Sequence, residues 1–140
     1  MIGNRPYSDA LARLRAAKLR PTRQRLALAR LLFSHGDRHV TAESLHNEAL
    51  ANHVRVSLAT VYNTLHQFTE AGLMREVVVD SARSYFDTNT SHHHHFFCEE
   101  DQMLKDIPGD ALAVNSLPAP PEGTAISRVD VVVRVRRAGS

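Results

Sequence analysis

The chain has 140 residues, of which 43% are hydrophobic, and its formal net charge is +2. This composition is enough for one compact domain or two small ones, and it excludes global disorder. The single cysteine excludes an internal disulfide and a zinc site made only of thiolates. No apolar run approaches the roughly 20 residues of a membrane span, and the start of the chain lacks the hydrophobic segment of a signal peptide. We therefore expect a cytoplasmic protein with no membrane partner.

The positive charge is concentrated at the start of the chain. Residues 1–38 contain nine Lys or Arg and two Asp, which gives +7, whereas residues 39–91 give −3 and residues 92–140 give −2. A basic region of this kind is typical of a surface that binds nucleic acid. An ordinary solvated helix face accounts for the same composition equally well, so charge alone does not decide between the two interpretations.

The first half of the chain is predicted to form four helices. Their ranges are residues 8–18, 22 to about 33, 41 to about 53, and 58–71. Each of the last three begins at a residue whose side chain can cap a helix, namely Thr22, Thr41 and Ser57. Leu45 and Leu50 are expected to face inward from the third helix.

The fourth predicted helix has two distinct faces. An apolar stripe steps along it by three or four residues at Leu58, Val61, Leu65 and Phe68. The opposite face carries Thr60, Asn63 and Gln67, with Ala59 beside them and Tyr62 at the apolar edge. Because Asn can bond adenine with two hydrogen bonds and Thr or Ala can contact a thymine methyl, this face suits the reading of base edges. The competing interpretation is that these are ordinary surface residues.

Two short strands, residues 73–79 and 84–87, are predicted after the fourth helix. Helices followed by a hairpin are typical of a winged helix-turn-helix, so residues 1–88 are predicted to form a DNA-binding domain. The polar segment Thr88–Ser91 marks the boundary with a second domain, residues 89–140.

Four consecutive histidines, His92, His93, His94 and His95, lead into Phe96-Phe97-Cys98. The aromatic continuation favours a strand, in which alternate side chains share a face. His92 and His94 would then lie on one face, and His93 and His95 on the other. Histidine is the commonest metal ligand and also binds haem iron, so each pair could supply two nitrogens to a separate site. The alternative is a solvated loop with no ligand.

The rest of the second domain is predicted to contain a strand over residues 103–107, a short helix from Pro108 to about Asn115, and a strand over residues 126–136. This is a small α/β layer whose exposed sheet edge could be covered by another copy of the chain. The fold class of the whole chain is therefore α+β.

Several segments together resemble the ferric uptake regulator family of metal-dependent transcription factors. The resemblance rests on His39-Val40-Thr41-Ala42-Glu43-Ser44-Leu45, on Ser57-Leu58-Ala59-Thr60-Val61-Tyr62-Asn63-Thr64-Leu65, on the hairpin that ends at Phe86-Asp87, and on the histidine run. It implies a homodimer that binds a near-palindromic, AT-rich DNA operator, responds to a metal and is not an enzyme. The second domain would then serve for dimerisation and sensing.

The resemblance also implies particular site residues. The DNA-contacting positions of the family fall on Arg20, Ser57, Ala59, Thr60, Tyr62 and Asn63. Its metal site between the two domains falls on His39, Asp87, His93 and His95, a set that suits Fe²⁺, Mn²⁺ or Zn²⁺. His92 and His94 resemble a second metal site, which could also hold haem.

One departure from the family pattern, taken with the histidine run, points to one branch. Cys98 is followed by Asp101 where many members have a second Cys, so their structural zinc site is expected to be absent. This feature, together with the histidine run, resembles the iron response regulator branch of alpha-proteobacteria, which senses haem. The resemblance implies a repressor of iron and haem homeostasis genes.

Other functions remain open at this point. Within the same family, a peroxide-responsive or manganese-responsive regulator fits the same residues. A metal or haem buffer without a regulatory role would use the same histidines. A metallohydrolase would need an open metal position and a placed general base, and no Ser-His or Glu-x-x-His arrangement supports one.

Overall fold

The structure is a computed structural model, and it describes residues 7–139. The chain divides into two compact units between Thr90 and Ser91. Helices and strands both occur, in agreement with the predicted α+β class. The assignment of DNA binding to the first unit and of dimerisation to the second stays a prediction.

The first unit contains four helices and three strands. In chain order these are α1 (Ser8–Ala16), α2 (Arg23–Phe33), β1 (His39–Val40), α3 (Ala42–Ala51), α4 (Leu58–Glu70), β2 (Arg75–Asp80) and β3 (Arg83–Asp87). The strands form an antiparallel sheet in the order β1-β3-β2. The two-residue strand β1 was not predicted, and it pairs His39 with Asp87.

Side-chain caps begin three of the helices, at the residues that the sequence indicates. Thr22 accepts a hydrogen bond from the backbone N–H of Arg25 at 3.2 Å, and Ser57 accepts one from Thr60 at 3.1 Å. Thr41 and Ser44 cap each other's backbone N–H groups at the start of α3. Each such bond satisfies an N–H group that has no partner within the helix, which stabilises the helix by roughly 1 kcal/mol.

The core of the first unit is formed by one face of each helix and by β3. Its most buried large side chains are Leu14, Leu28, Leu32, Leu45, Val61, Leu65, Phe68 and Phe86, each at most 1% exposed. Two predicted core positions were wrong. Leu50 is 52% exposed because the buried line of α3 runs through Ala42, Leu45 and Ala49. Leu58 is 41% exposed because it is the first residue of α4 and lies at the end of the apolar stripe.

An ion pair joins three segments of the first unit. The Arg38 guanidinium donates to both carboxylate oxygens of Glu48, at 2.9 and 2.7 Å, and to the carbonyl oxygen of Leu31 at 3.0 Å. The hydrogen bond to Glu48 raises the pKa of Arg38 above its ordinary value, so the charge on Arg38 is secure. The pair thereby ties α3 to the end of α2 and to the chain that enters β1.

Replacement of Glu48 with glutamine is expected to lower the free energy of unfolding by about 1 kcal/mol, because a half-buried two-point charged pair becomes a neutral contact. Urea unfolding followed by far-UV circular dichroism measures this change. Glu70→Gln, at the exposed end of α4, is the matched control and should change stability by less than about 0.5 kcal/mol. Equal effects of the two substitutions would show that the Arg38–Glu48 pair does not contribute to the free energy of unfolding.

The second unit contains a three-stranded sheet. Its strands are β4 (His94–Cys98), β5 (Met103–Ile107) and β6 (Val132–Val135), in the order β5-β4-β6. β4 pairs antiparallel with β5 and parallel with β6. Phe97, Leu104 and Ile107 are its most buried apolar residues.

Two predictions for the second unit were wrong. Residues 108–115, all of them described, form turns and irregular chain rather than a helix, and the long strand predicted over 126–136 is reduced to Val132–Val135. Within the described residues 91–139 the unit therefore contains strands only, and it is not the expected α/β layer. None of the helices among residues 7–139 has the length and apolar character needed to cross a membrane.

Candidate metal centre and nucleic-acid interface

The hairpin β4–β5 brings two imidazoles onto one carboxylate in the second unit. His95 lies opposite Asp106 in the strand register. Nε2 of His95 is 3.3 Å from Oδ1 of Asp106, and Nε2 of His93 is 3.2 Å from the same oxygen. The two rings pack together with centroids 4.5 Å apart, and both are buried. Two nitrogens and one oxygen therefore converge on one point.

The hydrogen bonding of His93 prepares it for a ligand. Its Nδ1 lies 2.7 Å from the carbonyl oxygen of Ser91, an acceptor, so the neutral ring carries its proton on Nδ1. The lone pair of Nε2 then points towards Asp106. An imidazole held through one nitrogen by a backbone carbonyl is the usual arrangement of a metal-binding histidine.

A second pair of donors lies in the first unit, where β1 and β3 pair. Nε2 of His39 is 3.2 Å from Oδ2 of Asp87, whose side chain is 1% exposed. The other carboxylate oxygen of Asp87 accepts the backbone N–H of Asn89 at 2.8 Å. The hydrogen bond to Asn89 orients the carboxylate, so that Oδ2 is the oxygen presented to His39.

The distances within each group fit coordination of a metal ion. Bonds of about 2.0–2.2 Å at angles between about 90° and 110° place neighbouring ligand atoms about 2.8–3.6 Å apart. The three nitrogen–oxygen distances, 3.2, 3.2 and 3.3 Å, fall within this range. At His93, where the lone pair of Nε2 faces the Asp106 carboxylate, a cation between the two atoms would remove their repulsion. Both groups are therefore chemically suited to a divalent ion.

Asp106 is the residue of this group that the sequence prediction missed. The signal was present, because a hairpin with a turn at residues 99–102 places position 106 opposite His95. No acid other than Asp87 was predicted for this site, and the predicted helix from Pro108, which would contain Asp110, does not form. Asp110 is exposed and belongs to no metal-binding group among the described residues.

His92 and His94 form the other pair, as alternation along a strand predicts, with ring centroids 5.3 Å apart. Nδ1 of His94 accepts the backbone N–H of Val131 at 3.0 Å, so the neutral ring carries its proton on Nε2. In this tautomer neither nitrogen of His94 offers a free lone pair. The predicted second site for metal or haem at His92 and His94 thus requires that the bond to Val131 break.

A cavity of about 370 Å³ adjoins these two rings in the second unit. Apolar side chains, among them Leu112, Val114 and Ile126, form much of its wall, and Arg128 adds a positive charge. The imidazoles among its described lining residues are those of His92, His93 and His94.

The predicted DNA-contacting residues lie on and around the start of α4. Ala59, Tyr62 and Asn63 are exposed, and Thr60 is half-buried. The Ser57 hydroxyl donates to the Thr60 hydroxyl at 2.9 Å while it caps the helix, so these two side chains already have a structural role. Tyr62 is held by edge contacts with His66 and Phe86, with centroids 4.6 and 6.5 Å away, and still keeps 46% exposure.

Arg20 lies on the exposed loop before α2, and a neighbouring arginine braces it. The Arg25 guanidinium donates to the carbonyl oxygen of Arg20 at 2.9 Å and to the side-chain oxygen of Gln67 at 2.9 and 3.2 Å. Gln67 belongs to α4. The loop that carries Arg20 is therefore connected to the exposed side of α4.

The chain has one unit of four helices and a three-stranded sheet, a second unit whose described residues form another three-stranded sheet, and nitrogen and oxygen donors that could hold a metal ion. Residues 16–131 match the model of the ferric uptake regulator family. The chain belongs to this family, whose members are transcriptional regulators and not enzymes. This finding confirms the family-level prediction and excludes the metallohydrolase.

Individual relatives agree with this assignment. The chain is 36% identical over 99 residues to the peroxide-responsive repressor PerR of Staphylococcus aureus strain Mu50. The matched residues make up 71% of this chain and 66% of that protein. The ferric uptake regulator of Pseudomonas aeruginosa, solved with manganese, is 24% identical with a TM-score of 0.67, over 92% of this chain and 98% of the other. The ferric uptake regulator of Vibrio cholerae is 20% identical with a TM-score of 0.69, and the match covers 90% of this chain and 98% of the other.

Proposed function

We propose that the chain is a DNA-binding transcriptional repressor whose affinity for its operator depends on a divalent metal ion. The observation that carries this proposal is the pair of donor groups, each with nitrogen–oxygen distances suited to a shared ion. The first unit supplies His39 and Asp87, and the second supplies His93, His95 and Asp106. The group of the first unit offers two ligands, and the group of the second unit offers three.

The donor set restricts the metal without selecting one. Three imidazoles and two carboxylates suit Fe²⁺, Mn²⁺ or Zn²⁺, whereas Mg²⁺ and Ca²⁺ prefer oxygen ligands alone. When bound, the ion supplies the positive charge that holds the two carboxylates and three imidazoles together. Binding of the ion is proposed to couple metal concentration to operator affinity through a change between two arrangements of the protein.

The first unit is proposed to act as a winged helix-turn-helix, with α3 and α4 as the two helices of the motif and β2–β3 as the wing. The exposed Ala59, Tyr62 and Asn63 lie on α4, which supports its role as the recognition helix. Ser57 and Thr60 contribute by fixing the start of that helix. Arg20 is proposed to contact the phosphate backbone, which fixes register without reading sequence.

The second unit is proposed to form the homodimer. Phe96 and Met103 are 37% and 55% exposed on the same face of the sheet, where Val133 and Val135 are half-buried. A sheet face and edges of this kind are commonly covered by a second copy. A dimer would present two α4 helices to half-sites about one DNA turn apart, which fits a near-palindromic, AT-rich operator.

Two effectors are proposed for this regulator. The histidine run and the absence of a Cys-x-x-Cys pair support the iron response branch, with iron or haem as the signal and iron and haem homeostasis genes as the targets. The similarity to PerR supports a peroxide-responsive regulator that uses the same metal centre. The tautomer of His94 favours an ion at His93 and His95 over haem at His92 and His94.

Titration of operator DNA with the purified chain tests the proposal. With Mn²⁺ or Fe²⁺ present, we expect affinity for a promoter fragment at least tenfold above that for an unrelated duplex, and loss of this preference with a chelator. Separate arms add haem or hydrogen peroxide and distinguish the two effectors. Equal affinity for both duplexes in every metal and haem state would exclude a sequence-specific regulator.

A further inference from the structure

A basic cleft lies in the first unit, and none of the predicted DNA-contacting residues is among its lining residues. It has a volume of about 460 Å³, and its polar lining comes from Arg23 and Gln24 of α2 and from His53 and Arg55 of the loop between α3 and α4. These four residues, which define the basic cleft, are all exposed. Tyr7, Ala27 and Val54 complete its wall, and no lining residue is acidic.

The two arginines of the basic cleft differ from other arginines of the chain. Arg38, Arg83 and Arg128 each have a carboxylate within 2.9 Å. Among the described residues, neither Arg23 nor Arg55 has a carboxylate within 4.0 Å. Their positive charges are therefore not neutralised within the part of the chain that is described, and an anion entering the basic cleft would meet both.

The charge at the start of α2 is unfavourable for the isolated helix. The positive end of a helix dipole stabilises acidic side chains and disfavours basic ones, by about 0.3–1 kcal/mol each. The first turn of α2 contains no acid, and it contains Arg23 and Arg25. Arg25 contacts only uncharged oxygens, those of Gln67 and Arg20. A bound anion would offset the repulsion at this end of the helix.

The basic cleft is placed to meet DNA bound by α4. Arg55 comes two residues before Ser57, the cap of α4, and α2 is connected to α4 through Arg25 and Gln67. We infer that the basic cleft grips a backbone phosphate of the DNA, with Arg23 and Arg55 on either side of it. This inference rests on the proposed function, and it adds Arg23 and Arg55 to the contact predicted for Arg20.

The salt dependence of DNA binding tests the inference with the full chain. The variants Arg23→Ala, Arg55→Ala and the double variant are titrated with the operator and with an unrelated duplex between 50 and 300 mM KCl. Each lost phosphate contact should reduce the slope of log affinity against log salt by about 0.9 and weaken binding about eightfold at 0.1 M. Because phosphate carries no sequence information, both duplexes should be affected alike. In the double variant the slope of log affinity against log salt should fall by about 1.8.

Controls separate a local contact from a change in net charge or in folding. Arg136→Ala removes one exposed charge from the second unit and should leave the slope unchanged. Arg23→Lys and Arg55→Lys should keep most of the slope, because each retains a charge. An unchanged slope in the double variant, or an equal loss with Arg136→Ala, would overturn the inference. Both outcomes can be read on the unrelated duplex even if no operator is recognised, so they are distinct from failure of the proposed function.

Discussion

Replacement of His95 with alanine is expected to weaken divalent metal binding by more than 100-fold and to leave operator affinity at its metal-free value. His95 is 1% exposed, and its Nε2 lies 3.3 Å from Asp106, so it is central to the donor group of the second unit. Loss of a hydrogen-bonding partner of a metal ligand already costs 10–100-fold in metal affinity, and loss of a ligand itself costs more. Competition with a chromophoric chelator measures the affinity.

His92→Ala is the matched control, because His92 is exposed and lies with His94 on the other side of the strand. It should leave the metal affinity within about threefold of the original chain. His95→Gln serves as a second variant that retains volume and a hydrogen-bonding group, in case the alanine leaves a destabilising cavity. If both His95 variants kept the metal affinity and the melting temperature of the original chain, His95 would not be a metal ligand.

Substitutions at Asn63 and Arg20 are expected to separate sequence reading from backbone binding. Asn63→Ala should reduce the preference for the operator over an unrelated duplex by about 1–3 kcal/mol, or 5–150-fold, because a base-edge contact is lost. Arg20→Ala should weaken both duplexes equally and reduce the salt slope by about 0.9. Fluorescence anisotropy with both duplexes at two salt concentrations measures both effects.

The control for this pair is Glu70→Gln, an exposed change at the far end of the same helix. It should alter neither the preference nor the slope by more than the error of the titration. If Asn63→Ala weakened both duplexes alike, α4 would bind the backbone rather than the bases. If Arg20→Ala changed only the operator, Arg20 would read a base or a narrow groove.

Features that depend on neighbouring residues were predictable from sequence. The caps at Thr22, Thr41 and Ser57 set the starts of three helices, because a side-chain hydroxyl and an N–H group two or three residues later meet without help from the rest of the fold. The alternation of His92–His94 with His93–His95 follows in the same way from strand geometry.

Features that depend on packing were predicted less well. Leu45 and Leu50 are five positions apart in the sequence. Five positions along a helix correspond to about 140° beyond one full turn, so the side chain of Leu50 leaves the buried face and is exposed. Val129 and Val131 alternate like a strand, but the pairing with β4 begins only at Val132. Alternation shows that a segment can be a strand and does not identify its partner.

The residues proposed to bind metal include some that could be predicted from sequence and one that could not. His93 and His95 were found because histidines are conspicuous, whereas Asp106 is one acid among several and is distinguished only by its register. His39 and Asp87 were predicted through the resemblance to a family, and the pairing of β1 with β3 gives the physical reason that they meet. The tautomer of His94 depends on Val131, which is 37 positions away, and could not be predicted.

The tight hairpin of β4 and β5 has a consequence for the order of assembly. Its four-residue turn closes at low entropic cost, whereas β6 must return across a long irregular segment before it can pair in parallel. Low contact order favours early formation, so the histidines and Asp106 are brought together before the sheet is complete. The proposed metal ligands of the second unit would thus lie near one another in a partly folded chain, before β6 has paired.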